Sequence, residues 1–342
     1  RLLAVTIHRQ EYVDLALVEI DSGAIRDVAT GIGVFSNLNW SPGGRYLTVE
    51  HEAATLPPDL YRVDIPGGQM TQLTFSMPPA LAAQPLVTPE HLTYRSFDGL
   101  EIPALLWKPA NPNGAAIVRP HGGPADQYLS QWDALAQYFL AKGYTFFTPN
   151  FRGSSGYGRD FEHANYNDWG VGDTQDILHG AKTLPKRAGW VDPQRIGIFG
   201  SSYGGYMVAC CLARDPEYLF ACGVSKYGDA NVYSSWGQCE RTTRLYTEMM
   251  LGHPRANWPA YLAASPIWEI ENVRAPVLLL HGLEDDVVPP QSSEEWAEAL
   301  RRHDKIFEYK TYAGEPHGFL RYETEMDWQR RTERFFDWYL RA

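Results

Sequence analysis

The sequence has few cysteines, no long hydrophobic run and no excess of basic residues. Four cysteines in 342 residues are too few for a disulfide scaffold. Cys222 and Cys239 could pair, but we expect reduced thiols in a cytoplasmic protein. No apolar run approaches the ~20 residues that cross a bilayer, which argues against a membrane protein. The 30 basic and 41 acidic residues give a net charge of −11, which disfavours nucleic acid and anionic membranes as partners.

The composition is that of a globular protein with a sizeable core. Apolar residues make up 44% and charged residues 21% of the chain, and 342 residues suffice for one large domain and a smaller one. The chain begins at Arg1 rather than at a methionine, and residues 2–7 already have strand character. We therefore expect the natural N-terminus to lie further upstream.

A faint internal repeat runs through residues 1–84, which are rich in strand-like alternation and turns. Five apolar or glycine positions recur 45 residues later: Leu15, Val18, Ile20, Gly23 and Val28 correspond to Leu60, Val63, Ile65, Gly68 and Leu73. A period in the forties is typical of β-propeller blades, which have about four strands each. Fewer than two blades fit in this segment. We therefore expect either the remnant of a larger propeller, which we favour, or an independent β subdomain.

A proline-rich connector at residues 76–89 follows the repeat, and we place a domain boundary between residues 84 and 85. From there to residue 342, strand-like and helix-like segments alternate, including a continuous apolar strand at residues 276–280. Asp173 is a candidate N-cap for one of the helices. The alternation predicts an α/β fold with a doubly wound, mostly parallel sheet.

The run Gly-Ser-Ser-Tyr-Gly at residues 200–204 has the G-x-S-x-G pattern of a nucleophile elbow. An apolar strand-like run precedes it and a helix-like run at residues 206–213 follows, which is the context that the pattern requires. In such a turn the Ser202 hydroxyl is lifted off the sheet, and the helix N-terminus beneath it favours negative charge. Ser202 is therefore the predicted nucleophile.

An elbow serine is inert without a base and an acid, which in this fold follow it along the chain in loops after later strands. His317 follows the last predicted strand and is the predicted general base. Glu284, Asp285 and Asp286 follow the strand before it. We select Asp285 as the acid that orients the imidazole, with Asp286 as the alternative.

Negative charge on a tetrahedral intermediate needs hydrogen-bond donors. We expect these to be the backbone N–H groups of Tyr203, which follows the nucleophile, and of Gly123, in a glycine-rich loop after an early strand. His121 and His281 are interpreted as structural histidines. No His/Cys/Asp cluster has convincing metal-ligand spacing, so we expect neither a metal nor a cofactor.

An insertion at residues 226–275 is dense in aromatic residues. Trp236, Tyr233 and Tyr246 are candidates for the wall of a substrate pocket. The alternative for all three is ordinary core packing.

The motifs together resemble the prolyl oligopeptidase family of serine peptidases from about residue 85 to residue 342. The resemblance is carried by residues 120–124 (PHGGP), 150–158 (NFRGSSGYG), 200–207 (GSSYGGYM), 281–282 (HG) with Asp285, and 315–319 (EPHGF). Within the family the chain looks most like the acylaminoacyl-peptidase and bacterial dipeptidyl-aminopeptidase branch.

The resemblance implies an α/β-hydrolase fold preceded by a β-propeller, with a triad of Ser202, Asp285 and His317. This sequence departs from the family pattern because most of the propeller is absent from it. Family members often supply acidic anchors for the substrate amine from the propeller, and none can be assigned here.

The favoured function is a serine peptidase that hydrolyses short peptides through the triad and an acyl-enzyme intermediate. A carboxylesterase on the same scaffold is the alternative, because a triad and an oxyanion hole serve esters equally well. A binding module without catalysis is disfavoured by the intact triad. We expect a peptide substrate, no nucleic-acid or membrane partner, and leave a homo-oligomer open.

Overall fold

Two β-sheets organise the chain in a computed structural model that describes residues 1–341. The first sheet contains β1 (Leu2–Arg9), β2 (Tyr12–Glu19), β3 (Ile25–Ala29), β4 (Val34–Trp40), β5 (Tyr46–Ala53), β6 (Leu56–Asp64) and β7 (Met70–Gln72). The second contains β8 (Glu90–Arg95), β9 (Glu101–Trp107), β10 (Ala116–Val118), β11 (Thr145–Pro149), β12 (Ile196–Ser201), β13 (Cys222–Lys226), β14 (Val277–Gly282) and β15 (Phe307–Tyr312). The predicted boundary at residues 84 and 85 lies between the two sheets and stays a prediction.

The helices lie mainly between the strands of the second sheet. They are α1 (Pro79–Ala82), α2 (Ala134–Ala141), α3 (Arg159–Glu162), α4 (Gly172–Arg187), α5 (Tyr203–Arg214), α6 (Val232–Gln238), α7 (Arg241–Leu251), α8 (Trp258–Ala263), α9 (Pro290–Arg302) and α10 (Tyr322–Leu340). Short 3₁₀ segments lie at His163–Asn165 and Pro266–Asn272. Within residues 1–341, no helix combines the length and the apolar character that a membrane crossing needs.

The first sheet is built as one four-stranded unit and one three-stranded unit. Strands β4 to β7 pair in antiparallel succession, the arrangement of a single propeller blade. Strand β2 pairs with β1 and β3, and it meets β4 only at the parallel pair Val13 and Val34. The seven strands thus amount to fewer than two blades, as the sequence predicts.

The 45-residue repeat corresponds to two equivalent hairpins. Gly23 turns the chain between β2 and β3, and Gly68 does so between β6 and β7, with φ angles of 71° and 72°. Each glycine N–H donates to a strand-end carbonyl, that of Glu19 at 2.8 Å and that of Asp64 at 2.7 Å. Burial does not repeat, because Leu15 is fully buried whereas Leu60 is 44% exposed. The repeat therefore reflects the turns more than the packing.

The second sheet has the strand order β8-β9-β11-β10-β12-β13-β14-β15. All neighbours from β11 to β15 pair in parallel, whereas β9 is antiparallel to both β8 and β11. Successive residues of a strand face opposite sides of the sheet. Ile117 accordingly lies in the core with α2 and α10, and Val118 lies in the core with α4, α5 and α9. The predicted doubly wound, mostly parallel sheet is confirmed.

Direct contacts hold the first sheet against the second. The Gln137 side chain of α2 donates to the Ala54 carbonyl at 2.9 Å, and the Trp132 N–H donates to the Glu52 carboxylate at 3.1 Å. The buried Glu11 carboxylate lies 3.1 Å from His91 Nδ1 in β8. These bonds place residues from both sheets in one continuous packed region.

The C-terminal helix α10 closes one face of the second sheet. Phe336 is fully buried, and its ring lies 6.0 Å from that of Phe139 in α2. It also fills the space beside Gly197 of the elbow strand, where a Cβ atom would lie 2.8 Å from the ring. The same helix carries Trp338, whose side chain is 78% exposed. Phe336 therefore links α10 to the strand that precedes Ser202.

We expect Phe336→Ala to lower the free energy of unfolding by about 3–5 kcal/mol, because it leaves a cavity that the surrounding sheet cannot fill. The matched control is Trp338→Ala on the exposed side of the same helix, with a change within about 0.5 kcal/mol. Denaturant unfolding followed by far-ultraviolet circular dichroism measures both. Equal losses in the two variants would contradict the packing described for α10.

Candidate active site

The turn between β12 and α5 has a strained backbone at Ser202. Its φ and ψ angles are 57° and −125°, a left-handed conformation that residues with a Cβ atom rarely adopt. The Ser202 N–H donates to the Lys226 carbonyl at the end of β13, at 3.0 Å. This hydrogen bond to β13 stabilises the turn that lifts the Ser202 hydroxyl off the sheet.

Two glycines make this turn sterically possible. A Cβ atom on Gly200 would lie 2.1 Å from the Gly204 carbonyl oxygen, and one on Gly204 would lie 2.4 Å from the Pro120 carbonyl oxygen. The strand, the helix and the loop after β10 therefore meet backbone against backbone. This is the structural reason for the G-x-S-x-G spacing.

Ser202, His317 and Asp285 form a continuous chain of hydrogen bonds. His317 Nε2 lies 2.9 Å from Ser202 Oγ, and His317 Nδ1 lies 2.7 Å from Asp285 Oδ2. Glu284 and Asp286 are exposed, whereas Asp285 is buried. The structure thus brings together the three predicted residues and separates Asp285 from its two sequence neighbours.

The Asp285 carboxylate is buried and well supplied with donors. The Val287 and Val288 N–H groups donate to Oδ1 at 3.0 and 2.9 Å, and His281 Nε2 lies 3.4 Å from Oδ2. Burial alone raises the pKa of Asp285, but hydrogen bonds from His281 and His317 outweigh it, so the pKa lies below its ordinary value. The carboxylate therefore stays ionised beside the imidazole.

The loop that carries His317 is held by a buried acid that the sequence reasoning gave no role. The Glu315 carboxylate accepts the Leu320 N–H at 2.7 Å and that of Arg321 at 3.3 Å. Gly318 has a φ angle of 84°, which allows the tight turn behind the imidazole. The Tyr227 ring lies 4.5 Å from the His317 ring. The imidazole is thus confined from three sides.

Both predicted oxyanion donors border the same cavity as Ser202. Gly123 has a φ angle of 115°, and among residues 1–341 neither its N–H nor that of Tyr203 donates a hydrogen bond. His121 holds the loop of Gly123, since its Nε2 lies 2.7 Å from Ser154 Oγ. Burial lowers the pKa of His121 to about 4, so its ring is neutral and structural.

Five aromatic residues line the cavity beside Ser202. They are Trp169, Tyr203, Tyr206, Trp236 and Tyr246, and the one charged side chain among the described lining residues is that of Asp229. Two of the three aromatic candidates, Trp236 and Tyr246, therefore lie where they were expected. Tyr233 does not line this cavity. It is 44% exposed and borders a separate depression with Trp258, because α6 turns that side of its surface toward α8.

Asp173 has a different place from the one predicted. Helix α4 begins at Gly172 and its N-cap residue is Val171, so Asp173 lies inside the first turn. The Gly172 N–H donates to Asp168 Oδ2 at 3.0 Å. Asp173 is fully buried and accepts the Tyr203 hydroxyl at 2.5 Å. Burial raises the pKa of Asp173 to about 7. No local pattern predicts this contact, because Asp173 and Tyr203 are 30 residues apart in the chain.

Comparison with known proteins agrees with this geometry. The sequence profile of the prolyl oligopeptidase family matches residues 130–342. The chain belongs to the prolyl oligopeptidase family. Among curated relatives, dipeptidyl aminopeptidase BIII of Pseudoxanthomonas mexicana is 29% identical over 304 residues, which cover 84% of this chain and 43% of that protein. The chain thus spans less than half the length of this relative.

Solved structures in the family are similar over nearly the whole chain. A puromycin-hydrolyzing peptidase of Mycobacterium tuberculosis gives a TM-score of 0.91 at 26% identity, covering 99% of this chain and 52% of that one. An acylaminoacyl peptidase in complex with Z-Gly-Gly-Phe-chloromethyl ketone gives a TM-score of 0.90 at 28% identity. The match covers 100% of this chain and 55% of that one. The predicted α/β-hydrolase fold is confirmed, and the first sheet is consistent with a propeller segment.

We expect Tyr203→Phe to destabilise the protein by about 1–3 kcal/mol above pH ~8, because it removes a donor from the buried Asp173 carboxylate. The folded-state pKa of Asp173, about 7, lies above its ordinary value of 3.8, so Asp173 ionises in the folded protein only as pH rises through about 7. The loss should be smaller near pH ~5, where Asp173 is protonated. Denaturant unfolding at both pH values measures it, with Tyr233→Phe as the exposed control. A loss independent of pH would contradict this account.

Proposed function

We propose that this chain carries the catalytic site of a serine peptidase that hydrolyses short peptides through an acyl-enzyme. The observation that carries the proposal is the hydrogen-bonded chain from Ser202 through His317 to Asp285. A nucleophile, a base and an orienting acid in this order are sufficient for acyl transfer.

In the first step Ser202 Oγ attacks the substrate carbonyl carbon while His317 Nε2 accepts the hydroxyl proton. The carbonyl electrons move to oxygen, and the N–H groups of Tyr203 and Gly123 stabilise the resulting oxyanion. Asp285 stabilises the imidazolium without taking its proton. The N-terminal end of α5 adds a favourable partial charge at this position.

In the second step the tetrahedral intermediate collapses and the C–N bond breaks. His317 delivers its proton to the departing amine, and the acyl group remains on Ser202. A water molecule then repeats the attack with His317 as base, and the acid product leaves. No metal or cofactor enters this sequence.

We expect Ser202→Ala to lower kcat by about 10⁶-fold, and Asp285→Asn by about 10⁴-fold because the imidazole loses its orienting partner. Steady-state hydrolysis of a peptide anilide measures both rates, and circular dichroism checks that the fold is intact. The matched controls are Ser201→Ala, one residue before the nucleophile, and Asp286→Asn, an exposed acid beside Asp285. Near-normal turnover by Ser202→Ala would remove the proposal.

We further propose that the peptidase activity is of the acylaminoacyl-peptidase or the dipeptidyl-aminopeptidase type. It is supported by the names of the relatives, which are peptidases, and by the peptide-derived chloromethyl ketone bound to a structurally similar acylaminoacyl peptidase. Peptides with matched free and acetylated N-termini, analysed by mass spectrometry after digestion, separate the two types.

We expect the chain to hydrolyse peptide anilides as well as short-chain aryl esters, because the oxyanion donors and the base serve both reactions. The ratio of kcat/KM for a matched anilide and ester is the measurement. A fluorophosphonate probe that labels Ser202 serves as the control for an intact site. Ester hydrolysis without detectable anilide hydrolysis would favour the carboxylesterase alternative.

A further inference from the structure

The cavity beside Ser202 combines apolar walls with one carboxylate. The aromatic residues described above and Val232 form the walls, and the Asp229 side chain reaches the same cavity. No basic residue lines the cavity among the residues that the structure describes. A cavity of this kind suits a ligand with a long apolar stem and a positively charged end.

The position of Asp229 is fixed by the elbow itself. It follows Gly228, whose Cα would lie 2.9 Å from a Cβ atom on Gly205 in the first turn of α5. The segment after β13 is therefore packed directly against the helix that begins behind the nucleophile. Ser202 and Asp229 therefore border one cavity, on two segments that pack against each other.

Among residues 1–341, no basic side chain pairs with Asp229. Its Oδ1 accepts the Asn231 N–H at 2.8 Å, and the Ser235 side chain and the Ala230 N–H are further neutral donors. Glu295 is the charged group that acts on it, and because it is also acidic it opposes ionisation. Burial raises the pKa of Asp229 to about 6, so above that pH the cavity holds an uncompensated negative charge. A buried charge of this kind is stabilised by a cation of good fit.

We propose that Asp229 makes the cavity selective for a lysine or arginine side chain on the residue whose carbonyl Ser202 attacks. This inference rests on the proposed peptidase function and adds its substrate class. The methylene stem of either side chain lies against the aromatic walls, and its cationic end reaches the carboxylate. Arginine can also stack on the indole or phenol rings.

The free α-amine of a substrate could also supply the cation that pairs with Asp229. Substrates with an acetylated N-terminus lack this amine, so any preference that they show comes from the side chain. The test compares kcat/KM for N-acetylated lysine and norleucine anilides, which share a stem but differ in charge. We expect the full chain at pH ~8 to favour lysine by roughly tenfold or more, as for a buried charge pair. A preference that appears only with free N-termini overturns the side-chain assignment.

The decisive variant is Asp229→Asn, which keeps an oxygen acceptor for the Asn231 N–H and removes the charge. The lysine-to-norleucine ratio should fall to about one in this variant, whereas Asp286→Asn, an exposed acid outside the cavity, should leave it unchanged. Labelling of Ser202 by a fluorophosphonate verifies that the variant site is intact. An unaltered ratio in Asp229→Asn overturns the inference.

The pH dependence of the unmodified chain gives a second test that needs no variant. Because Asp229 is ionised only above its pKa of about 6, the lysine preference should decline as pH falls through this value. A preference that is constant down to pH ~5 overturns the inference.

The failure of this inference and the failure of the proposed function give different results. If Ser202 is labelled and the norleucine substrate is cleaved as well as the lysine substrate, only the substrate class is wrong. If Ser202 is not labelled and no substrate is cleaved, the proposed function itself fails.

Discussion

The close approach of the β12 and α5 backbones at residues 200–205 is the constraint on which the rest of the structure depends. A left-handed residue with a side chain costs about 1–3 kcal/mol and persists only where its surroundings determine it. Here the surroundings are a sheet covered on both faces, with Lys226 accepting the Ser202 N–H and Phe336 packed against Gly197. The strain at Ser202 is therefore maintained by packing that extends to the C-terminal helix.

Three buried or half-buried carboxylates surround this turn, and their environments give them different protonation behaviour. Burial raises the pKa of Asp285, but hydrogen bonds from His281 and His317 outweigh it and keep the pKa low. Asp173 has the Tyr203 hydroxyl and a raised pKa of about 7, and Asp229 faces a cavity with a pKa of about 6. Asp285 is thus ionised throughout the neutral range, Asp173 ionises near neutral pH, and Asp229 carries a charge that a cationic ligand can pair with. The difference arises from the donors, not from the residue type.

The sequence predicts the sheet and the three hydrogen-bonded residues because both depend on local signals. Apolar runs mark the strands, and the loops after parallel strands meet at one edge of the sheet. The order of Ser202, Asp285 and His317 along the chain was therefore enough to predict that they lie together. Contacts between distant elements leave no such signal. Asp173 has the position of a helix cap in the sequence, and only the packing of α4 against α5 reveals its partner. Likewise Tyr233 and Trp236 share a helix, and only the placement of its neighbours shows which one borders the cavity.

The chain order of the site has a consequence for biosynthesis. Ser202 and His317 are separated by 115 residues, and three strands of the second sheet (β13, β14 and β15) lie between them. A ribosome adds Ser202 long before it adds His317, so the hydroxyl emerges without its proton acceptor. Reactivity of the proposed kind can arise only after the sheet is finished and the last loop has closed over it. The growing polypeptide is thereby protected from its own nucleophile until the loop that carries His317 has been synthesised.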